Sequence, residues 1–246
     1  MENNPLISVV TVSYNAVSTI EQTILSVINQ TYPNIEYVII DGESTDGTVD
    51  VIKKYADRIT YWVSEPDKGI YDAMNKGMGI STGDFLIFIG ADDLFYTTDV
   101  IKNIVAKIKE MNVIYYGNVI FKGDGKKYLG KFNKIKWATT NISHQAIFYP
   151  RQVYIKYVYN TQYRVYADYA YNLILLKEKV KFVYINEVIT LYDMTGFSAN
   201  NCDEAFRKDY CNLLLNSVGA FAYYIGRCIR CLYLIKIALK KLFVNV

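Results

Sequence analysis

Three short apolar runs each end in a polar or acidic cluster, and few folds accommodate that pattern. Residues 7–12 (ISVVTV) lead into Ser13, Tyr14 and Asn15. Residues 35–40 (IEYVII) lead into Asp41 and Gly42, and residues 85–89 (FLIFI) into Gly90, Ala91, Asp92 and Asp93. Apolar runs of this length, rich in Val and Ile, read as buried parallel strands. In an open α/β sheet the ligand crevice lies outside the carboxyl ends of the strands. Three strands would thus bring polar and acidic groups to one edge. Paired carboxylates there suit a hard divalent cation, which prefers oxygen ligands. A cation beside a crevice in a nucleotide-type fold points to phosphate chemistry.

Between these runs the spacing becomes helical. Ile20, Ile24, Val27 and Ile28 share one face of a predicted helix over 19–29. Asp46 or Thr48 can cap a second helix running to Tyr55. Residues 59–63 read as a short strand, and 69–79 and 100–108 as helices. This alternation predicts a parallel sheet with right-handed crossovers. The second half changes character. Residues 113–121 and 127–131 flank Gly123-Asp124-Gly125 as a hairpin. Residues 146–149 form an apolar segment stopped by Pro150, Asp168 precedes a helical run over 169–177, and 181–185 and 188–192 read as two strands. The sheet-based part is expected to end near 196–201. The expected fold is α/β, a mostly parallel Rossmann-like sheet with a mixed second half, over residues 1–200. A helical tail occupies 201–246.

A chain of 246 residues, 52% hydrophobic and 21% charged, can bury a sizeable core. Its net charge of +3 is uneven. From Tyr210 onward there are five basic residues (Arg227, Arg230, Lys236, Lys240 and Lys241) and no acidic ones, so the remainder carries −2. That argues against a nucleic-acid-binding body. On a helical wheel, Cys228, Cys231, Leu232, Ile235, Ala238, Leu239, Leu242 and Phe243 fill an arc of roughly 140° at ~100° per residue, with all five basic residues outside it; Ile229, Leu234 and Ile237 also lie outside, so the polar face is imperfect. Such a helix either lies in a membrane interface or packs its apolar face on the domain. The first residues show no signal-peptide pattern. The expectation is a cytoplasmic protein, peripheral on the inner face of the cytoplasmic membrane, with reduced cysteines. The 24 tyrosines either line a carbohydrate-binding surface or fill strand and half-buried helix positions.

Several residues carry candidate chemistry. Asp92 and Asp93 can hold Mg²⁺ or Mn²⁺ beside a diphosphate, or begin a turn or helix. Asp41 can accept hydrogen bonds from a base or ribose, or simply precede the turn at Gly42. Lys68, near a helix start, can favour an anion or belong to a solvated first turn. Asp168 can be a helix N-cap. His144, the single histidine, is a structural or a ligand-contacting residue. Cys228-x-x-Cys231 has no nearby ligand pair, so zinc is not expected. The chain has no G-x-x-x-x-G-K phosphate loop.

The segments ISVVTVSYNAVSTIEQTILSVINQTYPNIEYVIIDGESTDGT, SEPDKGIYDAMNKG and STGDFLIFIGADD, in this order and spacing, resemble the inverting nucleotide-sugar glycosyltransferases of the large bacterial family 2, which have the GT-A fold. The resemblance covers residues 5 to about 195. It implies that Thr11, Ser13 and Asn15 line a nucleotide pocket and that Asp41 binds the base. It implies that Asp67 and Lys68, with Asn75 in the same segment, flank the nucleotide sugar, a UDP-sugar. Asp92 and Asp93 stand for the metal-binding aspartate motif, with Asp92 also near the donor. Asp168 matches the catalytic base and His144 the acceptor side. The acceptor would be a saccharide or lipid-linked saccharide of surface polysaccharide assembly. The chain departs from the pattern twice, with Gly90 where many members have Asp, and Ala167 where many have Glu. A catalytically silent nucleotide-sugar binding module is the alternative those departures support. A sugar nucleotidyltransferase would need a glycine- and arginine-rich loop near the amino terminus, which is not there.

Overall fold

Burial on both faces turns the apolar runs into the centre of a parallel sheet. The computed structural model describes residues 4–123, 125–128, 130–192 and 203–244, the side chains of 234 and 237–244 excepted. In the first half β1 (Ile7–Ser13), α1 (Ile20–Ile28), β2 (Ile35–Asp41), α2 (Thr48–Lys54), β3 (Tyr61–Ser64), α3 (Ile70–Ile80) and β4 (Phe85–Gly90) alternate. There follow β5 (Leu94–Phe95), α4 (Val100–Val105), β6 (Ile114–Phe121), β7 (Lys127–Tyr128) and α5 (Lys134–Trp137). The last elements are β8 (Ile147–Pro150), α6 (Arg151–Tyr154), α7 (Ala167–Lys177), β9 (Phe182–Tyr192), α8 (Glu204–Val218) and α9 (Ala220–Val244). The strand order is β3-β2-β1-β4-β8-β6-β9-β5, with β7 on β6. Strands β3, β2, β1 and β4 run parallel. β8 is antiparallel to β4 and β6, while β9 returns parallel to β6. This is the expected α/β sheet with a parallel first half and a mixed second half.

Three local expectations change. The two strands expected over 181–192 are one strand, β9, whose pairing with β6 shifts register around Asn118. The irregularity is tight: a Cβ on Gly117 would lie 2.7 Å from the Glu187 carbonyl oxygen. Asn118 Nδ2 donates to that same oxygen at 2.9 Å. Secondly, α7 begins one residue before Asp168, with Tyr166 as its N-cap. Asp168 is therefore inside the first turn rather than capping it. Thirdly, neither Asp46 nor Thr48 caps α2 from its end. Gly47 holds that position at φ +101°, and Asp46 accepts from the Thr48 amide and hydroxyl.

The expected boundary near residue 200 lies outside the described residues. Beyond it, α8 packs along α7 and buries Phe206, Leu214 and Val218. The first turns of α9 bury Ala222 and Tyr223. Gly226 then lets α9 approach the chain after α5, where a Cβ would lie 2.6 Å from Ala138 Cβ. From Arg227 to Lys236 the described side chains are exposed. Cys228, Cys231, Leu232 and Ile235, half of the predicted apolar arc, are thus uncovered by the domain. Among the described residues no helix is long and apolar enough to cross a membrane.

Candidate active site

Register alone lines up the carboxyl ends of the parallel strands. Ser13 pairs with Asp41, Asp41 with Ser64, and Val12 with Gly90. An open cleft of about 2150 Å³ lies over this edge. Asp41 is fully buried beneath it. One carboxylate oxygen accepts from Ser13 Oγ at 2.8 Å and Ser44 Oγ at 2.6 Å. The other accepts from the Ser44 amide at 2.9 Å and Ser64 Oγ at 2.7 Å. Hydroxyls from three strand ends and loops thus compensate its burial. Ser44 Oγ in turn accepts from the Asn15 amide, and Asn15 Oδ1 from the Thr45 amide. Asn15 and Glu43 both hold positive φ, +48° and +63°. Backbone of this kind persists only where its surroundings over-determine it.

Across from this corner, Gly69 at φ +114° begins α3, and Asp67 Oδ1 accepts its amide at 2.7 Å. Asp67 Oδ2 occupies the space a side chain at 42 would fill, 2.4 Å from the Cβ position of Gly42. Asp67 and Lys68 both line the cleft.

The end of β4 brings two carboxylates to one point. A Cβ on Gly90 would lie 2.6 Å from Asp93 Oδ2 and 2.9 Å from Asp92 Oδ1. The missing side chain at 90 is therefore what makes room for both. Asp93 is almost fully buried, and its Oδ2 accepts from Gln145 Nε2 at 2.8 Å. Thr23 Oγ1 on α1 donates to the Asp93 carbonyl at 2.8 Å, and Lys122 Nζ donates to the Asp92 carbonyl. Among the described residues no three His, Cys, Asp or Glu side chains cluster as a complete metal site. Two converging carboxylate oxygens would fit a hard divalent cation such as Mg²⁺ or Mn²⁺, which prefers oxygen ligands.

Asp168 faces the same cleft from α7. Its Oδ1 accepts from the Tyr169 amide at 2.7 Å and Tyr71 Oη at 3.3 Å. His144 Nδ1 lies 3.3 Å from its Oδ2, and the His144 ring stands edge-on to Phe88. Burial, then the charge of Asp168, pushes the Tyr71 phenol well above its ordinary pKa, so it stays a donor. The loop before α7 is pinned by Asp203, whose Oδ2 accepts from the Val165 and Tyr166 amides while its Oδ1 caps α8 at Phe206.

Of the expected site residues, Ser13, Asn15, Asp67, Lys68, Asp92, Asp93, His144 and Asp168 share this one cleft. Thr11, Asp41 and Asn75 stand behind its wall. Thr11 Oγ1 pairs with Tyr37 Oη at 3.2 Å. Asn75 holds the Tyr159 backbone through both ends of its amide. Sequence reasoning missed Gln145, Asp203, Arg207, Tyr210 and Arg230, all but Gln145 on or at the start of the two carboxyl-terminal helices. The cap at Asp203, preceding the helical stretch of α8, was the one readable signal among them.

Comparison with known proteins agrees with this architecture. The model of Glycosyl transferase family 2 matches residues 8–171. A PGL/p-HBAD biosynthesis glycosyltransferase of Mycobacterium tuberculosis is 32% identical over 213 residues, covering 83% of each chain. Staphylococcus aureus TarS 1–349 in complex with UDP-GlcNAc matches with a TM-score of 0.69 at 14% identity, over 86% of this chain and 66% of that one. The mannosyltransferase PcManGT of Pyrobaculum calidifontis, in complex with GDP-Man and Mn²⁺, matches with a TM-score of 0.65 at 19% identity, over 87% of this chain and 63% of that one. The chain belongs to glycosyl transferase family 2 and has the GT-A fold.

Proposed function

We propose that this family 2 glycosyltransferase moves a sugar from a UDP-sugar to a hydroxyl acceptor with inversion at the anomeric carbon. The observation that carries this reading is one cleft lined by both Asp168 and the Asp92–Asp93 pair, joined through the neighbouring His144 and Gln145. Asp168 takes the proton of the acceptor hydroxyl as general base. The acceptor oxygen attacks the anomeric carbon, the bond to the diphosphate breaks, and the nucleoside diphosphate leaves. Tyr71 and the Tyr169 amide hold one oxygen of Asp168, leaving the other toward His144. A divalent cation held by Asp92 and Asp93 would neutralise charge on the departing diphosphate. Ser13, Asn15, Asp67 and Lys68 form the nucleotide-sugar side, braced by Thr11, Asp41 and Asn75. The solved relatives that bind UDP-GlcNAc and GDP-Man with Mn²⁺ support a nucleotide sugar as donor.

The test is a melting screen of the full chain against nucleotide sugars with and without Mn²⁺. A ligand at 100 times its dissociation constant stabilises by about 2.7 kcal/mol. Metal-dependent stabilisation, with slow release of the nucleoside diphosphate, is the expected result. Stabilisation without any release, whatever acceptor is supplied, would instead favour a silent binding module. Gly42→Ala tests the donor corner. Its new methyl must displace the Asp67 carboxylate, so donor affinity should fall by about 10-fold, equivalent to ~1.4 kcal/mol, with little change in melting.

The acceptor is a lipid-linked saccharide, and α9 rests on an anionic membrane surface. Cys228, Cys231, Leu232 and Ile235 of the apolar arc are exposed, and Arg227 and Lys236 flank that arc, an amphipathic face without an acidic partner. The intact chain should co-sediment with anionic vesicles. Leu232→Glu or high salt should release it, since each basic residue near the surface is worth on the order of 1 kcal/mol. Sedimentation unchanged by either treatment would refute this contact.

A further inference from the structure

We propose that Arg207 and Arg230 hold a phosphate group of the acceptor, over an aromatic floor of Phe206 and Tyr210, at the end of the cleft beyond Asp168. The inference rests on the glycosyl-transfer reading of that cleft.

A chain of contacts places the two arginines. Tyr169 follows Asp168, and its ring lies 6.2 Å from that of Tyr210. The Arg230 guanidinium lies 5.2 Å from the Tyr210 ring centre and donates to Tyr210 Oη. Arg207 precedes Tyr210 by three residues on α8, so the two share a helix face. Both arginines line the cleft that contains Asp168. The close packing of Gly226 on Ala138 brings Arg230 to this position. It is one of the five tail cations, and it is turned toward the cleft.

Charge decides what can bind there. Among the described residues neither Arg207 nor Arg230 forms an ion pair. Of the acidic groups near Arg207 on α8, Asp203 takes three backbone amides, Asp209 takes the Tyr163 hydroxyl at 2.7 Å, and Glu204 is exposed to solvent without an ion pair to either arginine. A planar guanidinium fork matches phosphate oxygens two at a time. Asp168 repels an anion placed beside it, so a phosphorylated acceptor lies with its phosphate at the arginines and its hydroxyl at Asp168. The floor is firm, because Phe206 packs on Tyr163, Tyr166, Tyr169 and Tyr210 with ring centres 5.2–5.7 Å apart. Past Arg230, exposed Tyr233 follows three residues on along the same face of α9, apolar surface for a chain attached to the same phosphate.

Calorimetric titration of the full chain with dodecyl phosphate below its micelle concentration, glucose 1-phosphate and dodecanol tests this. The two phosphates should bind, more weakly at high salt, and dodecanol should not. Arg230→Gln and Arg207→Gln should each weaken phosphate binding about 10-fold, the scale of one charge-assisted hydrogen bond, with partial recovery in the lysine variants. Dodecyl phosphate much tighter than glucose 1-phosphate supports a lipid phosphate, and equal affinities support a soluble phosphorylated glycan. If Arg230→Gln melts early, Arg207→Gln, exposed and outside the Tyr210 contact, decides. Phosphate binding unchanged in both variants overturns the subsite. So does a chain that binds UDP-GlcNAc in the melting screen and ignores both phosphates. A chain that binds phosphates but no nucleotide sugar refutes the glycosyl-transfer reading, and the acceptor role with it.

Discussion

Asp168→Asn is expected to lower sugar transfer by a factor of roughly 10² or more, the usual contribution of a general base, while donor binding and melting stay near normal. The structure explains why the substitution is clean. Asp168 Oδ1 accepts from the Tyr169 amide and from Tyr71, and an asparagine carbonyl oxygen can accept both. What asparagine cannot do is take the acceptor's proton. His144, 3.3 Å from Oδ2, then faces either a neutral oxygen or an NH₂ group, so its own hydrogen bond tests the orientation. Single-turnover transfer with bound donor is the measurement. A variant that turns over normally would move the base to another group on the cleft. A loss accompanied by early melting would mean that Asp168 mainly braces the start of α7.

The first half was legible because its strands are buried on both faces and therefore apolar throughout. The three runs became β1, β2 and β4, and register did the rest by setting Ser13 beside Asp41 and Val12 beside Gly90. The helix face of Ile20, Ile24 and Val27 is buried as its spacing implied. The second half hid where pattern and pairing diverge. Asn186 and Glu187 interrupt the apolar pattern, so β9 read as two strands. Its continuity comes from β6, where Asn118 reaches across to the Glu187 carbonyl. The carboxyl-terminal helices hid for another reason. A helical wheel shows how residues share one helix, but not what that helix meets. Arg230 sits outside the apolar arc because it meets Tyr210, twenty positions earlier on α8. Asp203 serves amides at 165 and 166, nearly forty residues away, and no local pattern reports such a contact. The residue types of Asp41 and Asn75 suit ligand contact, and what no pattern shows is the protein hydrogen bonds that both make.

Asp92→Asn, Asp93→Asn and Gly90→Ala are expected to remove the dependence of nucleotide binding on Mn²⁺, by two physical routes. The asparagine variants delete one charge while keeping shape. At Asp93 that matters, because Gln145 Nε2 needs an acceptor and a buried unpaired donor would cost about 1–3 kcal/mol. An alanine there would confuse lost metal affinity with lost stability. Gly90→Ala keeps both charges but puts a methyl where Asp92 Oδ1 and Asp93 Oδ2 converge, 2.9 and 2.6 Å from the new carbon. The carboxylates must then part. If two oxygens at this point hold the cation, Mn²⁺-dependent affinity for a nucleoside diphosphate should fall at least about 10-fold in all three variants, since even displaced outer-shell partners cost that much. Affinity measured in chelator should change far less. Equal losses with and without Mn²⁺ would make the pair a structural brace for the β4 turn, tied to α1 through Thr23. Unchanged Mn²⁺ dependence in all three would take the cation away from β4 altogether.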